Sequence, residues 1–174
     1  MREIKIFSPT ISIGEQLNGS WCMNIKCKYP KEPRIPYWTE LYNGKPVLEI
    51  VPNYNENKYY DIAIPIKRGW EQIDLSQEIA GISLTFVINI LDLDTNFSQV
   101  MFTCVVEGQE KENVSTKVNL KSFVENSDEW TKVRIPMISF VEEECFSTKT
   151  MRLFHFCGGG ESAVLLSDIK IEES

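Results

Sequence analysis

Apolar and polar residues alternate along most of this chain. "SWCMNIKCK" puts Trp21, Met23, Ile25 and Cys27 on one side of an extended backbone, because successive side chains of a strand point to opposite faces. "PVLEIV" (46–51), "KYYDIAIPI" (58–66) and "ISLTFVINI" (82–90) continue the pattern. In the last of these, Ile82, Leu84, Phe86, Ile88 and Ile90 share one face, and Ser83, Thr85, Val87 and Asn89 the other. "QVMFTCVVEG" (99–108), "VSTKVNLKSF" (114–123), "EWTKVRIPMISF" (129–140), "MRLFHF" (151–156) and "AVLLSDIKIE" (163–172) complete the set.

Turn formers separate these runs: "YNGK", "PNYNEN", "DLDTN", "EGQEKEN", "ENSDE" and "CGGGES". No segment of ten or more residues carries a helical stripe, and "LSQEIAG" (75–81) predicts one helical turn at most, with Ser76 as its N-cap. The segment 28–44, "KYPKEPRIPYWTELYNG", holds three prolines and four aromatics and reads as a long surface loop. Short strands with frequent turns predict an all-β fold, a β-sandwich of two antiparallel sheets.

Within "WTKVRIPM", Thr131, Val133 and Ile135 are expected to face the core, with Trp130, Lys132 and Arg134 on the other face. Pro136 cannot donate to a ladder, so the strand ends there or lies at an edge. Two cations on one face predict a sheet with one side buried and the other open to water.

At 174 residues the chain suits one domain, 1–174. Its net charge is −7, with 18 Lys and Arg scattered rather than clustered, which argues against nucleic acid as a partner. No apolar run is long enough for a membrane span, and the N-terminus lacks the layout of a signal peptide. Five cysteines with no CxxC pair read as buried thiols (Cys22, Cys27, Cys104, Cys145, Cys157). There is no "HExxH" and no P-loop lysine, and "CGGG" at 157–160 has no helix after it to make a phosphate cradle. The acidic run "EEE" at 142–144 reads as a solvated loop face or a groove rim.

The C-terminal half resembles a family. "WEQIDLSQEIAGISLTFVINI" is similar to a segment of galactose-binding-like jelly rolls, the fold of many carbohydrate-binding modules. "WTKVRIPMISF" resembles their "W..v.IP...F" motif, and "MRLFHFCGGGESAVLLSDIKIEE" their closing pair of strands. The three motifs span roughly residues 70–173 and keep their order along the chain. The resemblance implies a non-catalytic module, attached to a glycoside hydrolase in a larger secreted protein. Such a module binds a plant-type polysaccharide (β-glucan, xylan or mannan class) on the concave face of one sheet. It would be monomeric and extracellular. Intracellular assembly-factor-type domains share the "W..v.IP...F" signature, so a cytoplasmic protein-interaction domain is the alternative.

A sugar ring stacks its C–H face on an aromatic ring and pairs its hydroxyls with polar side chains. On that basis the candidates are Trp38, Tyr59, Asp61, Asn89, Gln99, Arg134 and His155. Tyr59 and Asp61 alternate together where the family often places a stacking aromatic. Asn89, Gln99 and Thr103 lie opposite Phe86 and Phe102 and could line a groove. Arg134 could donate two parallel hydrogen bonds. His155 matches a position that some glucan-binding members use. Trp21, with Met23 and Ile25 on its face, reads as core, and Trp130 as a strand-start anchor. The family commonly holds a structural calcium between an acidic residue of the first strand and an Asp near the end of the last. Here that Asp position is Ser167, followed by Asp168, and the first strand offers only Glu3. A calcium would therefore fall to Asp168.

Overall fold

The computed structural model describes residues 3–7, 24–25, 37–42, 45–50, 59–67, 71–90, 99–105, 112–124, 129–142, 146–159 and 164–174. Twelve strands lie among them: β1 (Ile4–Phe7), β2 (Asn24–Ile25), β3 (Tyr37–Tyr42), β4 (Lys45–Ile50), β5 (Tyr59–Pro65), β6 (Ile82–Ile90), β7 (Gln99–Val105), β8 (Glu112–Val114), β9 (Val118–Asn119), β10 (Thr131–Pro136), β11 (Met151–Gly159) and β12 (Val164–Glu173). They form two six-stranded sheets in which every pairing is antiparallel. The first sheet runs β10-β6-β12-β4-β3, with β1 also on β12; the second runs β2-β5-β11-β7-β8, with β9 also on β7.

Period-two alternation builds the core as expected. Leu84, Phe86 and Ile88 of the first sheet meet Phe102, Phe154 and Phe156 of the second, all essentially without solvent contact. The Phe102 ring packs edge-on against Phe140, with centroids 4.9 Å apart, and Phe102 lies 5.7 Å from Phe154. Quadrupole-complementary contacts of this kind add to the area that the rings bury. Phe140 follows β10 in a 3-10 turn (Met137–Phe140), so the trio clamps one sheet to the other.

The strand that ends in proline behaves as its residues dictate. On β10, Val133 and Ile135 are buried while Lys132, Arg134 and Pro136 are exposed. Its sole partner in the described sheet is β6, and Pro136 stands opposite Ser83 at the end of the ladder. An edge strand carrying charges and a proline is protected against pairing with another chain.

Three expectations are corrected. Residues 37–42, read as part of a loop, form β3 and pair with β4, which satisfies backbone groups despite the neighbouring prolines. The run at 114–123 is not one strand: Ser115 accepts the Phe102 N–H on its hydroxyl at 2.9 Å and donates to the Thr116 carbonyl at 2.9 Å, and the chain then resumes as β9 and a 3-10 turn. Ser76 caps no helix. Its hydroxyl donates to the Asp74 carboxylate at 2.6 Å, and the short 3-10 turn Ile79–Gly81 follows without a side-chain cap.

The last strand contains a bulge that sets its own faces. Between Ser167, opposite Val87, and Lys170, opposite Thr85, two residues stand against one. Asp168 absorbs the extra residue at φ 52°, a left-handed conformation that Asp tolerates better than most residues. Past it, Ile169 and Ile171 point into the core and Lys170 and Glu172 outward. Without it the strand would slip by one and reverse all four.

Candidate functional site

Directly opposed residues of an antiparallel ladder share a face, so the register assigns each candidate. On the second sheet the outward face consists of four rows. Tyr59 stands opposite Gly159; Asp61 opposite Cys157, Gln99 and then Asn119; Ala63 opposite His155 and Met101; Pro65 opposite Leu153 and Thr103. Tyr59, Asp61, Gln99 and His155 are thus brought together on one surface.

That surface is graded. At one end Leu153, Thr103, Met101 and His155 are buried, although they face away from the core between the sheets. The other end opens: Gln99 is half-buried and Asn119 exposed. The central strand carries only short groups there, Cys157 and Gly159, between the longer residues of β5 on one side and of β7 and β9 on the other.

His155 sits at the closed end. It is buried and hydrogen-bonds through Nε2 to the Thr103 hydroxyl on the adjacent strand. The groove face expected for it is the face on which the register sets it, at the buried end. Cys157 is likewise inward of the surface, its Sγ 3.6 Å from the Gln99 carbonyl. Cys104 and Cys157 are buried thiols outside any disulfide, whereas Cys22, Cys27, Cys145 and Trp21 lie outside the described residues.

The remaining candidates belong to the other sheet. Asn89 is on β6 and Arg134 on β10, so the expected grouping of Asn89 with Gln99 and Thr103 is corrected: the strands that carry them lie in different layers. Asn89 is buried, and its Oδ1 has no hydrogen-bond partner. Arg134 is engaged already, donating from Nη2 to Glu172 Oε1 at 3.2 Å and to the Glu173 carbonyl at 3.3 Å. Trp38 is on β3 opposite Leu48, which stands opposite the core residue Leu166. That register sets it on the inward parity of the first sheet, and not on the outward face of the second that carries Tyr59 and Gln99. The water-facing surface expected behind β10 is open at Lys132 and Arg134, but Val87, Asn89 and Leu165 beside it are buried.

The residues expected to hold calcium do not fit that ion. Glu3, the only acid of the first strand's sequence, is bound to Lys170 Nζ at 3.0 Å and lies 3.6 Å from Lys5. Lys170 also reaches Glu172 at 2.8 Å. Ser167 is neutral and fully buried, and no group of three potential ligating side chains occurs among the described residues. A hard divalent cation takes six or more oxygens, several of them anionic. Here Asp168 stands beside an ammonium.

Asn119 is the polar residue that the sequence reading passed over. It follows Val118 within a run that looked like one continuous strand, and its side-chain Oδ1 accepts the Lys121 N–H at 2.9 Å. Only the register of β9 on β7 brings it beside Gln99.

A crystal structure of a family 30 carbohydrate-binding module superposes with a TM-score of 0.74 at 20% identity, covering 100% of both chains. The family 30 module of a cellulosomal cellulase of Clostridium thermocellum gives 0.69 at 18% identity, covering 99% of this chain and 98% of that one. A family 11 module of the same organism, solved with a β-1,3-1,4-mixed-linked tetrasaccharide, gives 0.61 at 12% identity, covering 97% and 94%. These likenesses establish the β-sandwich fold. No curated protein sequence matches the chain. The family profile "Carbohydrate binding domain 30" matches residues 10–173. The chain therefore belongs to carbohydrate-binding module family 30, jelly-roll domains that bind carbohydrate and carry no catalytic activity of their own.

Proposed function

We propose that this module binds a β-glucan-class polysaccharide across the outward face of its second sheet, and that it anchors an attached glycoside hydrolase to that substrate outside the cell. The observation that carries the reading is the row Asp61, Cys157, Gln99 and Asn119, which crosses four strands with Tyr59 in the adjoining row. Such a row supplies acceptors and amide donors for sugar hydroxyls, with an aromatic position beside it for a ring face. It is displayed on strands, which hold polar groups more rigidly than loops do. The β-1,3-1,4-mixed-linked tetrasaccharide in the family 11 structure and the cellulase parent of a family 30 module support the choice of polymer class.

Native affinity electrophoresis in gels containing barley β-glucan, xylan or glucomannan tests it. At least one polymer is expected to retard the protein. Asp61→Ala and Gln99→Ala are each expected to weaken retardation about 5- to 50-fold in apparent affinity, the worth of one or two hydrogen bonds to a charged or polar partner. Mobility unchanged in all three gels refutes the reading.

A further inference from the structure

On the outer face of the first sheet a line of alternating charge crosses four adjacent strands. Glu3, just before β1, meets Lys170 of β12 at 3.0 Å; Lys170 meets Glu172 at 2.8 Å; Glu172 meets Arg134 of β10 at 3.2 Å and accepts from Thr85 of β6 at 3.1 Å. Lys170 is the hub. Its side chain is 19% exposed and that of Glu172 15%, so the central pair is shielded from most of the solvent screening that weakens surface pairs. The register places Lys5 directly opposite Lys170, a like-charge pairing that costs stability unless carboxylates lie between them. Glu3 is within reach of both ammonium groups.

We infer that the Lys170 ammonium is the module's built-in structural cation, tying the first strand to the last and leaving the fold independent of calcium. Glu3 and Glu172 are each already paired with Lys170, and Lys5 and Arg134 add further positive charge beside them. A divalent ion added there would face that charge at contact distance. Hydrogen bonding to Lys170 holds both carboxyls below their ordinary values, and hydrogen bonding to Glu172 raises the pKa of Lys170 in turn. The bulge at Asp168 makes this possible, because it turns Lys170 outward next to Glu3. The inference stands apart from the choice of sugar ligand.

Thermal unfolding of the wild-type module in EDTA and in millimolar calcium chloride tests it. A structural calcium supplied at about a thousand times its dissociation constant would raise Tm by roughly 10 °C. The expected difference is below about 1 °C. Lys170→Met is expected to lower Tm by about 3–8 °C, with no recovery in calcium, and to speed amide exchange in Ile4–Phe7. A calcium-dependent rise in the wild-type Tm of several degrees overturns the inference, as does a Lys170→Met protein with wild-type Tm and exchange. If that variant does not fold, calorimetric titration of the wild type with calcium chloride decides: heat that fits a stoichiometric site overturns the inference, and its absence supports it.

Discussion

Thr103→Val separates two roles for the only histidine. Valine keeps the branched shape of threonine but has no hydroxyl, so the substitution removes the hydrogen bond to His155 Nε2. Both residues are nearly without solvent contact, Thr103 at 2% and His155 at 5% relative exposure, so water cannot replace the lost partner without opening the face. Stripping a buried polar atom of its partner costs about 1–3 kcal/mol. For a chain of this length 1 kcal/mol corresponds to about 2–4 °C in Tm, so the central expectation is a drop of about 6 °C. Differential scanning calorimetry measures it, and affinity electrophoresis of the folded variant supplies the second readout. If His155 braces the closed end of the face, Tm falls while retardation by glucan changes less than about twofold. A variant that unfolds at the wild-type temperature, or one that keeps its Tm and loses retardation, refutes the reasoning and returns His155 to the binding surface.

Two further outcomes follow from the core and the charge line. Phe102→Ala removes a ring with no exposed surface that touches Phe140 and Phe154; it is expected to cost about 3–5 kcal/mol and to lower Tm by about 10 °C or more, checked by thermal denaturation. The pH profile of Tm should show a plateau with two shoulders. Glu172 and Glu3 have lowered folded-state values, so their contribution is present above the ordinary carboxylate value of 4.5 and is lost as pH falls through the lowered ones. Lys170 is raised, so its contribution is present below 10.5 and is lost only above its elevated value. Lys170→Met should flatten the acid shoulder, and an unchanged shoulder in that variant would count against the charge line.

Much of the fold was legible because a strand's side-chain period is two whatever the chain does elsewhere. Leu84, Phe86 and Ile88 could be assigned to the core from their spacing alone, as could Val133 and Ile135, and Pro136 marked the end of an edge strand. The family motifs extended this to a jelly roll and a carbohydrate-binding module, because hydrophobic spacing and turn chemistry are local properties. Parity, however, says only that a residue is opposite its neighbours in the strand. It does not say which sheet the strand joins.

That second piece of information decided the site. Asn89 and Gln99 have the same relation to their own strands, yet β6 and β7 lie in different layers, and only hydrogen bonding between distant segments separates them. Asn119 is beside Gln99 through the pairing of β9 with β7, which no local pattern announces. The polar pair Ser167–Asp168 interrupts the alternation of the last strand, but whether such a pair is a bulge or a strand end depends on the neighbour that closes the ladder. Burial of His155 depends in the same way on what the folded chain lays over it. The one-dimensional pattern determined most of the strands, their inward faces and the family resemblance; the pairing of strands far apart in sequence decided which polar residues share a surface and which cation joins the first strand to the last.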